Sequence, residues 1–133
     1  MRVADLMQTD LVTVRSDDLV RVAVERLAEE KITGLPVVDG HGGLVGVLSA
    51  SDVLQAESMN ADPEAVARLF DDTVVREIMT PRPHTIAPTA TSKEAAQRMM
   101  YLEVHRLFVE DGGHLLGVVT TSDLVRSLAM SKV

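Results

Sequence analysis

Two stretches of the sequence place a hydroxyl three residues ahead of a carboxylate: Ser49-Ala50-Ser51-Asp52 and Thr120-Thr121-Ser122-Asp123. A carboxylate has acceptor sites enough for the two adjacent hydroxyls of a ribose, and a hydroxyl beside the free amides of a helix start can hold a phosphate. A plainer use is open to the same residues. Ser51 and Ser122 can cap helices, with the acid favoured by the helix dipole. The duplication weighs the two uses evenly, and they are compatible. Shortly before the second stretch stand His105 and Arg106, a titratable donor beside a forked one, which together can grip a phosphate or can simply be a solvated pair at a strand start. The first half has Thr33 and Gly34 in that place. Two unequal sites are therefore expected.

Little argues for a reaction. His41, His84, His105 and His114 lack the paired spacing of metal ligands. Ser49 and Thr120 have no base beside them in the sequence, and the chain has neither a nucleophile elbow, a Walker loop nor a dinucleotide glycine fingerprint. With no cysteine, thiolate chemistry and disulfides are excluded, which fits a reducing, cytoplasmic setting. The expectation is a non-enzyme without catalytic cofactor or metal.

Composition narrows the partners. The net charge is −7 and only 2% of the 133 residues are aromatic, so the basic surface and stacking platforms of nucleic-acid binders are missing. The apolar 46% is mainly aliphatic, with valine at twenty positions. No apolar run approaches the ~20 residues of a membrane span, and the opening residues hold no signal-peptide core. Residues 1–72 carry a charge of −8 and residues 73–133 carry +1. An anionic ligand meets less repulsion in the second half.

The elements that must position these residues come in duplicate, at a spacing of 72. Val3-Ala4-Asp5-Leu6-Met7 returns as Val75-Arg76-Glu77-Ile78-Met79, and Leu35-Pro36-Val37-Val38-Asp39-Gly40 as Leu107-Phe108-Val109-Glu110-Asp111-Gly112. After a one-residue deletion, Gly46 to Asp52 matches Gly117 to Asp123. In the first copy a β-prone run at 11–14 precedes a helical period over 19–31, which Ser16 or Asp17 can cap. Apolar runs at 35–38 and 44–48 flank a glycine-rich turn, and a second helix opens at Ser51-Asp52. In the second copy Thr91-Ser92-Lys93-Glu94 reads as a capping box, before a helix that buries Ala95, Met99 and Met100. Each copy is thus β-α-β-β-α. Asp62-Pro63-Glu64 opens a helix between them. Half-chains of about 60 residues bury little surface alone, so the two sheets are expected to pack together.

These residues resemble tandem CBS domains, the family named for the regulatory region of cystathionine β-synthase. The resemblance spans nearly the whole chain. It is carried by Leu6-Met7 and Ile78-Met79, by Thr13-Val14 and Thr85-Ile86, by the run at 35–40, and by the twice-occurring glycine, two apolar residues, hydroxyl and acid. It implies an α/β (α+β) fold, a pseudo-twofold pair with domain 1 at 1–56, a linker helix at 57–73 and domain 2 at 74–133. It also implies two clefts between the sheets for adenosine-containing ligands, and dimerisation into a flat disc. By resemblance, Thr13, Val14, Thr85 and Ile86 line an adenine slot, with strand packing as the alternative for Val14 and Ile86. Ser49, Asp52, Thr120 and Asp123 take ribose and phosphate. His105 and Arg106 match the basic pair that some members direct at phosphates. Phe108 and Glu110 depart from the usual proline and apolar residue; the ring can narrow the cleft or stack, and the acid is expected at an exposed strand end.

The resulting expectation is a stand-alone regulatory module that binds AMP, ADP, ATP or S-adenosylmethionine and signals metabolic state to a partner protein as a homodimer. Loss of Asp123 is expected to weaken binding more than loss of Asp52. The alternative is a ligand-free module for protein–protein interaction and oligomerisation.

Overall fold

The computed structural model describes residues 1–59 and 62–130. It has two compact units, one of residues 12–83, built on the first repeat, and one of residues 1–11 with 84–133, built on the second. The opening helix α1 (Val3–Leu6) belongs to the second-repeat unit.

In the first-repeat unit β1 (Val14–Arg15) leads to α2 (Val20–Glu30), and β2 (Gly34–Val38) and β3 (Leu44–Ser49) lead to α3 (Ala50–Ser58). This is the order the periods predict, with α3 continuing beyond the boundary expected at 56. β1 runs parallel to β2, and β2 antiparallel to β3. Leu35, Val37 and Leu48 of the sheet meet Ala23 and Leu27 of α2 and Val53 of α3 in one buried cluster that also takes in Val14. The residue that caps the start of α2 is Leu19, which makes no side-chain cap, so neither Ser16 nor Asp17 has the expected role. Asp18 instead accepts a hydrogen bond from the Arg15 N–H at 2.9 Å, turning the chain between β1 and α2.

The helix between the repeats forms as expected. In α4 (Pro63–Asp72), proline occupies the first turn and the Asp62 carboxylate accepts from the Ala65 N–H at 2.8 Å. α4 packs on α2 and α3, burying Leu69, and Arg21 Nε meets Asp71 Oδ1 at 2.5 Å. A short 3-10 turn at Val75–Glu77 follows, and β4 (Thr80–Pro81) adds an unforeseen fourth strand beside β3. Pro81 stands on the sheet edge, where its missing N–H breaks no ladder.

The second-repeat unit repeats the plan: β5 (Thr85–Ile86), α5 (Ser92–Leu102), β6 (Arg106–Asp111), β7 (His114–Thr120) and α6 (Thr121–Met130), with strand order β5-β6-β7. Thr91 caps α5 by accepting from the Glu94 N–H at 3.1 Å. Ala95 and Met99 are buried, but Met100 is 79% exposed, contrary to expectation. Ala95 and Met99 lie one turn apart on a single face, and Met100 is the next residue round the helix. The one-residue gap between the repeats falls in the hairpin turns. Asp39 spans the longer turn by accepting from the His41 and Gly43 N–H groups, whereas Gly112 and Gly113, at φ 58° and 85°, make a two-residue turn that demands glycine.

The opening residues are exchanged. Val3 lies in the second-repeat core with Leu6 and Met7 against it, while Val75 lies in the first-repeat core with Ile78 and Met79 against it. Each repeat's opener thus completes the unit built on the other. The residues after the openers lie against β7 and β3, where Gln8 exchanges backbone hydrogen bonds with Val118 and Thr80 pairs with Val47. Gly117 and Gly46 permit this close approach. A Cβ on Gly117 would sit 2.6 Å from the Gln8 carbonyl oxygen, and one on Gly46 2.6 Å from Met79 Sδ and 2.9 Å from the Thr80 carbonyl oxygen. Among the described residues, no helix is long and apolar enough to cross a membrane.

Candidate ligand site

In both units the hydroxyl and the acid meet where the last strand of the repeat becomes its last helix. Ser49 caps α3, its hydroxyl accepting from the Asp52 N–H at 3.0 Å while the Asp52 carboxylate accepts from the Ser49 N–H at 3.0 Å. Thr120 and Asp123 repeat the exchange at 3.2 and 2.9 Å. The cap is therefore the first hydroxyl of each stretch, not Ser51 or Ser122. These last two stand on the exposed side of their helices.

The two carboxylates differ in how many donors they already serve. Asp52 is half-buried and, besides the Ser49 N–H, accepts from the Thr80 hydroxyl at 3.1 Å. Asp123 is fully buried and accepts from the Thr120 N–H and hydroxyl, from Gln8 Nε2 at 3.2 Å and from Arg126 at 3.1 Å. Burial pushes the Asp123 carboxyl up, but the hydrogen bonds from Thr120, Gln8 and Arg126 outweigh it and hold the group below the usual carboxylate range. About four lone-pair sites serve a carboxylate. At Asp123 the protein's own donors use them, and at Asp52 two remain, which is the number a ribose diol requires.

The Thr-aliphatic steps lie at β1, with Thr13 just before it, and on β5, each tied to the first helix of its repeat. The Thr13 carbonyl accepts from Arg26 at 2.6 Å and the Thr85 carbonyl from Arg98 Nε at 2.8 Å, and the two arginines occupy equivalent positions. Val14 is fully buried in the first-repeat core, whereas Ile86 is half-buried. Beside Thr85 and Ile86 opens a cavity of about 510 Å³, bounded also by Ala90, Glu94, Arg98 and Glu110. Glu110 is half-exposed at its wall.

His105 and Arg106 are both exposed at the start of β6, where Arg106 is the register partner of Thr120. The fold thus brings the basic pair beside the Thr120–Asp123 junction. Ser49 has Gly34 as its register partner, which offers no side chain. The Arg106 guanidinium lies 6.0 Å from the centre of the buried Phe108 ring, at the outer limit of a cation–π contact. The sequence reading did not find Gln8 and Thr80, the residues that follow each opener and reach the acid of the other repeat. Their common offset of 72 from one another was the available signal.

The model of the CBS domain matches residues 3–58 and 75–130. The chain belongs to the CBS-domain family. It is 31% identical to the CBS domain-containing protein CBSX2, chloroplastic, of Arabidopsis thaliana, over 98% of this chain and 64% of that protein's length. Among solved CBS structures, CBSX2 in complex with AMP superposes with a TM-score of 0.78 at 32% identity, covering 97% of this chain and 96% of the other. The CBS domain pair of protein MJ0100, in complex with 5-methylthioadenosine and S-adenosyl-L-methionine, gives a TM-score of 0.75 at 25% identity, covering 99% and 98%. CBS pairs of this fold therefore include binders of adenosine-containing ligands, and the mixed α/β architecture is the one they share.

Proposed function

We propose that this CBS-domain chain is a regulatory module that binds an adenosine-containing ligand, such as AMP, ADP, ATP or S-adenosylmethionine, without transforming it. It passes metabolic state to a partner protein in the cytoplasm, acting as a homodimer. The observation that carries this reading is the capped strand-to-helix junction at Ser49–Asp52, with a carboxylate that keeps acceptor capacity for a ribose. The likeness to a CBS pair in complex with AMP supports it.

The ten residues read from the sequence take graded parts in this proposal. Asp52 and Ser49 recognise ribose and phosphate at the first-repeat junction. In the first-repeat unit Thr13 supplies polar contact to a base, backed by Val14 from the core, and in the second-repeat unit Thr85 and Ile86 supply polar and apolar contact to a base. There His105 and Arg106, beside Thr120, attract a phosphate, while Asp123 holds the Thr120 junction in shape. This reverses the order expected from the basic pair alone, because Asp123 already serves four donors.

The test is a melting screen of the folded protein against AMP, ADP, ATP and S-adenosylmethionine. Ligand at a hundred times its dissociation constant adds about 2.7 kcal/mol of stability, which is several degrees in Tm for a chain of this size. A shift with at least one of the four supports the reading. No shift with any of them overturns it.

A further inference from the structure

The cavity beside β5 lies at the other end of its sheet from the Thr120–Asp123 junction. Arg106, at the start of β6, pairs in register with Thr120, whereas Glu110, on the cavity wall, pairs with Leu115. Arg106 and Glu110 are about 13 Å apart along an extended strand. Of the cavity's walls only Thr85 and Ile86 also figure in the adenosyl reading. The others are the small Ala87 and Ala90 and the charged Glu94, Arg98 and Glu110. Arg98 Nε is fixed on the Thr85 carbonyl oxygen at 2.8 Å, and its terminal amino groups have no partner among the described residues. The Glu94 carboxylate accepts from the Thr91 hydroxyl at 3.3 Å through Oε1 and keeps Oε2. Among the described residues no ion pair joins Arg98 to either acid.

The first repeat uses the same places differently. Its Arg26, in the place of Arg98, stands 3.8 Å from Asp18, where the second repeat has Ala90. Val22 and Val38 take the places of Glu94 and Glu110. In the first repeat the arginine has its acid beside it. In the second, an arginine and two acids line a cavity of about 510 Å³ without neutralising one another.

We infer that this cavity is a second small-molecule site and that it takes a basic α-amino acid, of which lysine is the type. The charges are complementary in number and sign. One guanidinium and two carboxylates on the protein meet one carboxylate and two ammonium groups on the ligand. Glu94 and Arg98 are four residues apart on α5 and so are neighbours on its surface, which suits the α-ammonium and α-carboxylate carried on a single carbon. The ligand carboxylate lies on the free edge of the Arg98 fork. Its side-chain ammonium, at the other end of the molecule, reaches Glu110 on β6, and the methylene chain between rests on Ala87 and Ala90. A neutral amino acid leaves Glu110 unmatched, and a diamine without a carboxylate sets a cation against Arg98.

The test titrates L-lysine into the full chain, carrying isotope-labelled alanine methyls, at low salt. No nucleotide is present, so the outcome is independent of adenosyl binding. Saturable shifts of the Ala87 and Ala90 methyls are expected. Norleucine, which lacks the side-chain ammonium, and cadaverine, which lacks the carboxylate, should each bind at least tenfold more weakly. Glu110→Val, which installs the residue found at the equivalent place in the first repeat, should bring lysine down to the affinity of norleucine. The absence of a saturable shift with lysine would overturn the proposal. So would norleucine or cadaverine binding as tightly as lysine to the unaltered chain, or a preference for lysine over norleucine that survives Glu110→Val.

Discussion

The side-chain amide of Gln8 donates to Asp123 Oδ1 at 3.2 Å across 115 positions of sequence. Its counterpart Thr80 donates to Asp52 at 3.1 Å. The residue after each repeat's opener thus braces the acid in the first turn of the other repeat's last helix. This relation makes the two junctions alike in plan and unlike in capacity, since Asp123 has further donors in the Thr120 hydroxyl and Arg126.

Stability should fall with acid through Asp123. Its carboxyl is held below the value it has in the unfolded chain, so its contribution is complete above the ordinary carboxylate range and is lost as pH falls through the depressed folded value. Asp123→Asn should cost about 1–3 kcal/mol at neutral pH. The gap to the parent protein should narrow towards pH 3, as read by chemical denaturation at several pH values. A gap of constant size would show that the charge is not what matters.

Binding should separate the two acids in the opposite sense. Asp52→Ala is expected to weaken AMP about tenfold or more, roughly 1.4 kcal/mol, at the modest stability cost of a lost cap, about 1 kcal/mol. Asp123→Ala should mainly lower Tm. Calorimetric titration at a temperature where both variants are folded tests the order. Equal losses of affinity would reject it.

At the two close approaches, alanine should be costly to different degrees. On Gly117 the new Cβ meets the Gln8 carbonyl oxygen at 2.6 Å, a backbone atom, whereas on Gly46 the nearest atom is the flexible Met79 Sδ at 2.6 Å, with the Thr80 carbonyl oxygen at 2.9 Å. Overpacking of this kind costs about 1–3 kcal/mol. Gly117→Ala should lie at the upper end and Gly46→Ala below it in urea denaturation.

The exchanged openers predict where damage travels. Val3→Ala removes buried methyls from the second-repeat core, a loss of about 1–3 kcal/mol. Hydrogen exchange should quicken at amides of β6 and β7 more than at those of β2 and β3. Val75→Ala should do the reverse. Quickening confined to the repeat that contains the altered residue in sequence would contradict the exchange.

What the sequence made legible was local. The apolar periods of Leu35–Val38, Leu44–Leu48 and Val20–Leu27 depend on one face of one element, and Asp62-Pro63 marks a helix start from within four residues. The caps shifted by two positions because Ser49 and Ser51 are both hydroxyls near the same helix start, and only the backbone path decides which one is outside it. Met100 was misplaced by a single step round α5. β4 escaped notice because a strand of two residues containing Pro81 has no period to read. At the candidate site, residue types were legible but capacity was not. Asp52 and Asp123 are identical in motif, and what separates them is supplied by Thr80, Gln8 and Arg126, two of which come from distant sequence.

The exchange of openers has a consequence for the order in which the chain leaves the ribosome. Residues 12–83 emerge as one continuous stretch and hold every member of their own core, so that unit can close while synthesis continues. Val3 has no such fortune. Its core partners extend to Leu124, so Val3, made before all of residues 12–83, finds its place only after they have been made.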